Sequence, residues 1–178
     1  MPTIYTIGHS TRDLADFSRV LQAHDIRLLE DIRAFPMSRR HPHFNRENLE
    51  MWLPEIGCGY AWEKDLGGRR KRQMPAMESP NLALRNESFR NYADYMLSPP
   101  FAQAVDRLIE RAAAQNTAIM CAEALYFHCH RMLVSDYLVS RGHTVLHILD
   151  EKPPKEHVLT KDARIIEGKL VYRGDYLL

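Results

Sequence analysis

Short apolar runs alternate with segments of helical period along most of this chain, and that alternation constrains the fold more than any other feature. Ile4-Tyr5-Thr6-Ile7 reads as a strand, and Leu14, Phe17, Val20 and Leu21 follow at helical spacing. Residues 26–32 return to strand character and end in Asp31-Ile32-Arg33, so the first 33 residues predict a βαβ unit with a right-handed crossover. Later come two helices, around Phe89 to Met96 and Phe101 to Ala112, then a strand ending at Cys121, a helix carrying Leu133 to Leu138, and a strand from Val145 to Leu149. This order predicts a three-layer α/β fold, Rossmann-like or flavodoxin-like, with a mostly parallel sheet covered on both faces. The length, 178 residues, is that of one domain, 1–178, with a substantial core.

Two regions depart from the alternation. Residues 34–85 are rich in Pro, Arg and His and only locally periodic, which predicts an irregular basic insertion within the domain. Inside it, Asn45 is a candidate cap for a helix carrying Leu49, Trp52 and Leu53, and Gly59-Tyr60-Ala61-Trp62 a candidate short strand. At the other end, Ile165 to Tyr172 predicts a terminal hairpin turning at Glu167-Gly168. Two further caps are expected: Ser10 with Asp13 as a capping box for the first helix, and Ser88 for the helix that begins near Phe89.

In open sheets of this type, ligands bind outside the carboxyl ends of the strands. The polar residues expected there are His9 and Ser10 after the first strand, Asp31 and Arg33 after the second, Cys121 and Glu123 after the third, and His147 and Asp150 after the fourth. If the first and third strands lie side by side, His9 and Cys121 share one rim. Cys129-His130-Arg131 opens the next helix, so a thiol sits at each end of one turn. A free thiol, with pKa near ~8.5, is only about 3% thiolate at neutral pH. A helix start, Arg131 and a protonated His130 would lower that of Cys129. The competing reading makes both cysteines small core residues, which is how Cys58 is read outright. Arg33 and Arg131 suit anion clamping, or else structural ion pairs with Asp31 and Glu123.

Two other kinds of chemistry compete. Between Arg33 and Arg72 there are nine Lys/Arg against five Asp/Glu, interleaved with Phe35, Phe44, Trp52, Tyr60 and Trp62. Cations that follow phosphates, with aromatics that stack bases, are how single strands are held. The loop 69–72 is a candidate phosphate-contacting lid, and a solvated surface over core aromatics is the alternative. Cys121, Cys129, His130, His147, His9 and Glu123 are metal-ligand types, but seven residues separate the two cysteines, more than a zinc knuckle spans. Neither Gly-x-Gly-x-x-Gly nor Gly-Lys-Ser/Thr nor Gly-x-Ser-x-Gly occurs, which argues against dinucleotide binding, a P-loop ATPase and an α/β-hydrolase. The residues do not identify a cofactor. With a net charge of +1, bulk electrostatics favour no partner. Three cysteines without a disulfide pattern, no membrane-spanning run and no leader predict a cytoplasmic protein that does not bind membranes.

The chain resembles the bacterial family called domain of unknown function 488 over nearly its whole length. The resemblance lies in Ile4-Tyr5-Thr6-Ile7-Gly8-His9-Ser10, Asp31-Ile32-Arg33-Ala34-Phe35-Pro36, Phe44-Asn45, Leu66-Gly67-Gly68-Arg69 and Phe89-Arg90-Asn91-Tyr92-Ala93. It is sharpest at Cys121-Ala122-Glu123 with Cys129-His130-Arg131, and His147-Ile148 follows. Glu30 departs from it, standing where an apolar residue is expected. The resemblance supports the fold and marks site residues but assigns no reaction. The expectation is an anion-binding cleft in an enzyme acting on a phosphate-bearing or nucleotide substrate. Cys121, Glu123, Cys129 and His9 would do thiolate or acid–base chemistry, and Ser10, Asp31, Arg33, Arg69, His130 and Arg131 would bind substrate. The alternatives are a nucleic-acid-binding module without catalysis and a Cys/His metal site.

Overall fold

Residues 1–174 are described by a computed structural model. Six strands form one sheet: β1 (Thr3–Gly8), β2 (Leu28–Asp31), β3 (Gly59–Trp62), β4 (Thr117–Cys121), β5 (Thr144–Ile148) and β6 (Lys155–Glu156). Their order is β3-β2-β4-β1-β5-β6, parallel except for β6. β7 (Ala163–Ile166) and β8 (Lys169–Tyr172) make a separate antiparallel hairpin. Its turn is at Glu167 and Gly168, both at positive φ, as a tight hairpin turn requires. The expected α/β class, mostly parallel sheet and terminal hairpin are therefore present. β1 and β2 do not pair directly, because β4 returns between them.

Period-two alternation divides the buried residues between the two faces of the sheet. Ile4, Ile119 and Val145 pack with α3 (Glu87–Tyr95), α4 (Pro99–Ala114) and α5 (Arg131–Ser140), joined by Leu170 and Tyr172 of the hairpin. Ile7, Leu29, Met120 and Ile148 pack on the other side with α1 (Leu14–Ala23) and α2 (Arg46–Trp52) through Phe17, Leu21 and Leu49. Glu30 lies in β2 with no exposure, and the Arg111 guanidinium of α4 reaches it at 3.1 Å. That contact is how the strand accommodates a carboxylate where an apolar residue was expected.

Both serine caps are corrected. Ser10 lies outside α1 at positive φ, and Asp13 caps that helix by accepting from the Asp16 amide at 2.7 Å. Asn86, not Ser88, caps α3, accepting from the Phe89 amide. In each case a side chain that reaches its own N3 amide takes the role. Asn45 precedes α2 as expected, but its side chain accepts from the Ser38 amide instead of from the helix. Among the described residues no helix is long and apolar enough to cross a membrane.

Candidate functional site

Register assembles the site. Gly8 is aligned with Cys121 between β1 and β4, and Thr6 with His147 between β1 and β5. The side chains of Thr6, Cys121 and His147 share the face under α5, where Arg131, in the first turn of that helix, comes down on them. Gly8 is the residue that permits this approach. A Cβ there would lie 1.7 Å from the Glu123 carbonyl oxygen and 2.9 Å from Arg131 Nη2.

The two thiols meet. Cys121 Sγ and Cys129 Sγ are 3.1 Å apart, and both are free cysteines, 3% and 8% exposed. Arg131 Nε lies 3.0 Å from Cys121 Sγ and 3.4 Å from Cys129 Sγ, and the Arg131 backbone amide donates to Cys129 at 3.4 Å. The two thiols are shifted in opposite directions. The hydrogen bond from Cys121 lowers the Cys129 pKa far below a free thiol's, with further help from His130 and Arg131. Burial raises that of Cys121, as does its hydrogen bond to Cys129. Although the guanidinium lies nearer Cys121, the helix amide and His130 both favour charge on Cys129, which is also the less buried sulfur. Both shifts favour the charge on Cys129 and the proton on Cys121.

Arg131 is 1% exposed, and its donors are taken up inside the protein. Nη2 donates to the carbonyls of Glu123 and Ala124, and Nη1 to Thr6 Oγ1 at 3.2 Å. Expected as a clamp on a substrate anion, Arg131 directs its donors to the two sulfurs, two carbonyls and Thr6. Beyond it the hydrogen bonds continue from Thr6 Oγ1 to His147 Nδ1 at 2.7 Å, His147 Nε2 to His157 Nδ1 at 2.8 Å, and His157 Nε2 to Asp136 Oδ1 at 2.8 Å. Tyr126 stacks on His147, with ring centroids 3.5 Å apart.

A second arm comes from β2. Arg33 grips Asp31 through Nε at 2.9 Å and Nη2 at 2.7 Å, and Nη2 also donates to the Phe44 carbonyl. Asp31, expected among the substrate-binding residues, is fully buried, accepts in addition from the Tyr60 hydroxyl at 2.6 Å and anchors Arg33. His9 is stacked on Phe44, its Nδ1 donates to the Ser10 carbonyl, and its Nε2 faces Arg33 Nη1 at 3.4 Å. Burial pushes its pKa down to about 4, and Arg33 adds to that. Expected to transfer protons, His9 instead turns its Nε2 lone pair to a cation. The Ser10 amide joins the rims by donating to the Ala122 carbonyl.

Between these arms lies a cleft of about 560 Å³, lined by Arg33, Phe35, Arg69, Phe89, Cys121, Glu123, Cys129 and His130 among others. This volume suits a small-molecule group. β1 and β4, the strand that ends at Cys121, do lie side by side as expected, but His9 does not line the cleft while Cys121 does. Glu123 is exposed at the rim, and its carbonyl, not its carboxylate, engages Arg131. His130 Nε2 donates to the Ile32 carbonyl at 3.0 Å, and Gly68 packs so tightly on that ring that a Cβ would lie 2.5 Å from Nδ1. Of the loop 69–72 expected as a lid, Arg69 lines the cleft and lies over the Phe35 ring, whereas Arg70 covers Tyr95 and binds the Lys64 carbonyl, and Arg72 pairs with Glu87. A depression of about 580 Å³ against the hairpin, between Leu82 and Tyr172, has no thiol or imidazole among the described residues lining it. Among the described residues no group of three His, Cys, Asp or Glu side chains is arranged to hold a metal ion.

The family model for the domain of unknown function DUF488 matches residues 13–138. The chain belongs to this family. No curated protein and no solved structure matches it. In this DUF488 chain the matched residues include both thiols, His130, Arg131 and Arg33. Thr6, Tyr126, Asp136, His157 and Tyr172 were not among the expected site residues. Asp136 carried the one available signal, a carboxylate on the apolar-periodic stretch between Leu133 and Leu138.

Proposed function

We propose that this protein is a thiol-dependent enzyme that performs thiol–disulfide exchange in the strand-end cleft. The observation that carries the reading is the contact of 3.1 Å between Cys121 and Cys129, with one guanidinium nitrogen directed at both sulfurs. Cys129, as thiolate, attacks one sulfur of a substrate disulfide, and the other half leaves as a thiolate that takes a proton from solvent. Cys121 then gives up its proton and attacks Cys129 Sγ, releasing the second half and closing an intramolecular disulfide. Two electrons pass to the substrate. A stabilised thiolate favours the reduced protein, so the disulfide form is an oxidant and the reverse direction, oxidation of a dithiol, is the favoured one.

An anionic substrate fits the same reading. Arg69 is exposed at the cleft, and Arg33 lines it while locked by Asp31. With His9 withdrawn, acid–base work falls to the thiols themselves. Oxidised glutathione, a disulfide bearing carboxylates, is a suitable probe. In the Cys121→Ser protein it should leave one stable mixed disulfide at Cys129 by mass spectrometry, whereas the wild type proceeds to the internal disulfide. No adduct on Cys129 in that variant, with free thiols remaining in the wild type, would overturn the reading.

A second reading, nucleic-acid binding at the same mouth, has one observation in its favour. Phe35 is 66% exposed with Arg69 over its ring, and Arg39 and Arg40 are exposed nearby. Of the five aromatics in the basic stretch Phe35 alone is exposed; Trp52 and Trp62, for example, donate to the carbonyls of His43 and Arg33. If this reading holds, a short single-stranded oligonucleotide binds, and Phe35→Ala weakens it by about tenfold, in line with the loss of one stacked base. Absence of binding at low salt would remove it.

A further inference from the structure

The hydrogen bonds leading away from Arg131 have a single direction, and elementary chemistry fixes it at both ends. A guanidinium can only donate, and a carboxylate can only accept. Arg131 Nη1 donates to Thr6 Oγ1, so the Thr6 hydroxyl proton is free for His147 Nδ1. A neutral His147 that accepts there carries its proton on Nε2, which faces His157 Nδ1. His157 in turn carries its proton on Nε2 and donates to Asp136 Oδ1. Asp136 also accepts from the Thr160 amide and hydroxyl and from the Tyr172 hydroxyl, which holds its carboxylate in place. Thr6, His147, His157 and Asp136 are all nearly inaccessible to solvent.

We propose that Thr6, His147, His157 and Asp136 are positioning residues for the thiol pair: a one-way array that holds the Arg131 guanidinium edge-on to both sulfurs. The proposal rests on Cys129 being the working thiolate. It goes beyond that reading by assigning an electrostatic role to residues that touch neither sulfur nor the cleft. Simple core filling does not account for the array. Apolar side chains would fill the same space without the cost of burying four polar groups, and such a network is tolerated only when every member is satisfied. Here each member is satisfied, and the array ends at the one buried cation that contacts the sulfurs. Arg131 cannot lose a proton, so the array does not conduct protons to the thiols; it fixes the orientation of the guanidinium. The parallel register that aligns Thr6 with His147 is what makes the first link.

The groups facing Cys129 are Cys121 from β4, His130 just before α5, Arg131 from α5, and Tyr92 from α3. The array acts on Cys129 through Arg131 alone. The test is the pH dependence of Cys129 alkylation, followed by mass spectrometry of its peptide in the full chain. Thr6→Val, which keeps the shape and removes the hydroxyl, should raise the labelling midpoint by about one pH unit, a tenfold loss of thiolate below it. Thr6→Ser should restore the wild-type midpoint, and Asp136→Leu, which removes the terminal acceptor of the array, should move it in the same direction as Thr6→Val. Thr6→Val and Asp136→Leu proteins that fold and keep the wild-type midpoint would overturn the proposal. Should those variants fail to fold, ¹⁵N spectra of the wild type at pH 8 decide: both His147 and His157 must carry the proton on Nε2, and an Nδ1–H tautomer on either would break the array. A wild-type Cys129 that titrates like an ordinary free thiol would instead remove the underlying thiolate reading.

Discussion

At the scale of single residues, the meaning of a charged side chain depends on how many of its donors are already committed. Arg131 has five N–H groups and a site with two sulfurs, two carbonyls and a hydroxyl around it, so it serves the protein's own groups. Arg69, on an exposed loop, keeps its charge at the cleft. The sequence marks both as cations at the right places, but how their donors are used depends on contacts made after folding. Gly8 is the small residue on which that packing depends. Gly8→Ala should cost about 3 kcal/mol, the upper range for an overpacked site, because the Glu123 carbonyl has to move and Arg131 with it. Thermal melting checks the stability loss, and Cys129 labelling should become slower at pH 6. An unchanged melting temperature would mean that the loop 122–130 is not held against β1.

At the scale of elements, periodicity gave the strands and helices because burial on one face recurs every two or 3.6 residues whatever the partner. Caps were less legible: Ser10 and Ser88 have the right chemistry, but Asp13 and Asn86 are the side chains in reach of an N3 amide. β6 was not expected, since two residues after a double proline carry no period and its pairing comes from β5 alone. Glu30 makes β2 pH-sensitive. Burial raises its pKa to about 7, opposed by Arg111, while Glu63 adds to the rise. The native state then holds a proton that the unfolded chain has released, so this carboxyl lowers stability as pH rises from about 4.5 towards 7. The burial penalty from His9 runs the other way and is confined to pH below about 6.5, because the unfolded chain gains the proton there. Glu30→Gln should therefore become more stable relative to wild type as pH rises, by roughly 3 kcal/mol between pH 4.5 and 8. Chemical denaturation of both proteins at several pH values measures it. A difference that does not change with pH would place the Glu30 pKa at its ordinary value.

At the scale of the whole molecule, the site depends on sheet order. The chain leaves β1, crosses to β2 and β3, and returns to β4 between β2 and β1, so the ends of β1, β2 and β4 converge from sequence positions far apart. The thiol pair was legible as two cysteines flanking one turn. Its extension was not: Thr6 and His147 lie 141 residues apart, and only the register of β1 with β5 brings them together. The array from Arg131 to Asp136 and the cleft over Cys129 thus belong to one face of one sheet, on either side of the same guanidinium. The central claim is that this surrounding keeps Cys129 ionised near neutral pH while Cys121 stays protonated. The most direct measurement is the rate of iodoacetamide labelling at each cysteine between pH 4 and 10. Labelling of Cys129 with a midpoint well below 7, and of Cys121 only at alkaline pH, is the predicted result. Two cysteines that share a midpoint near that of a free thiol, about 8.5, would contradict it.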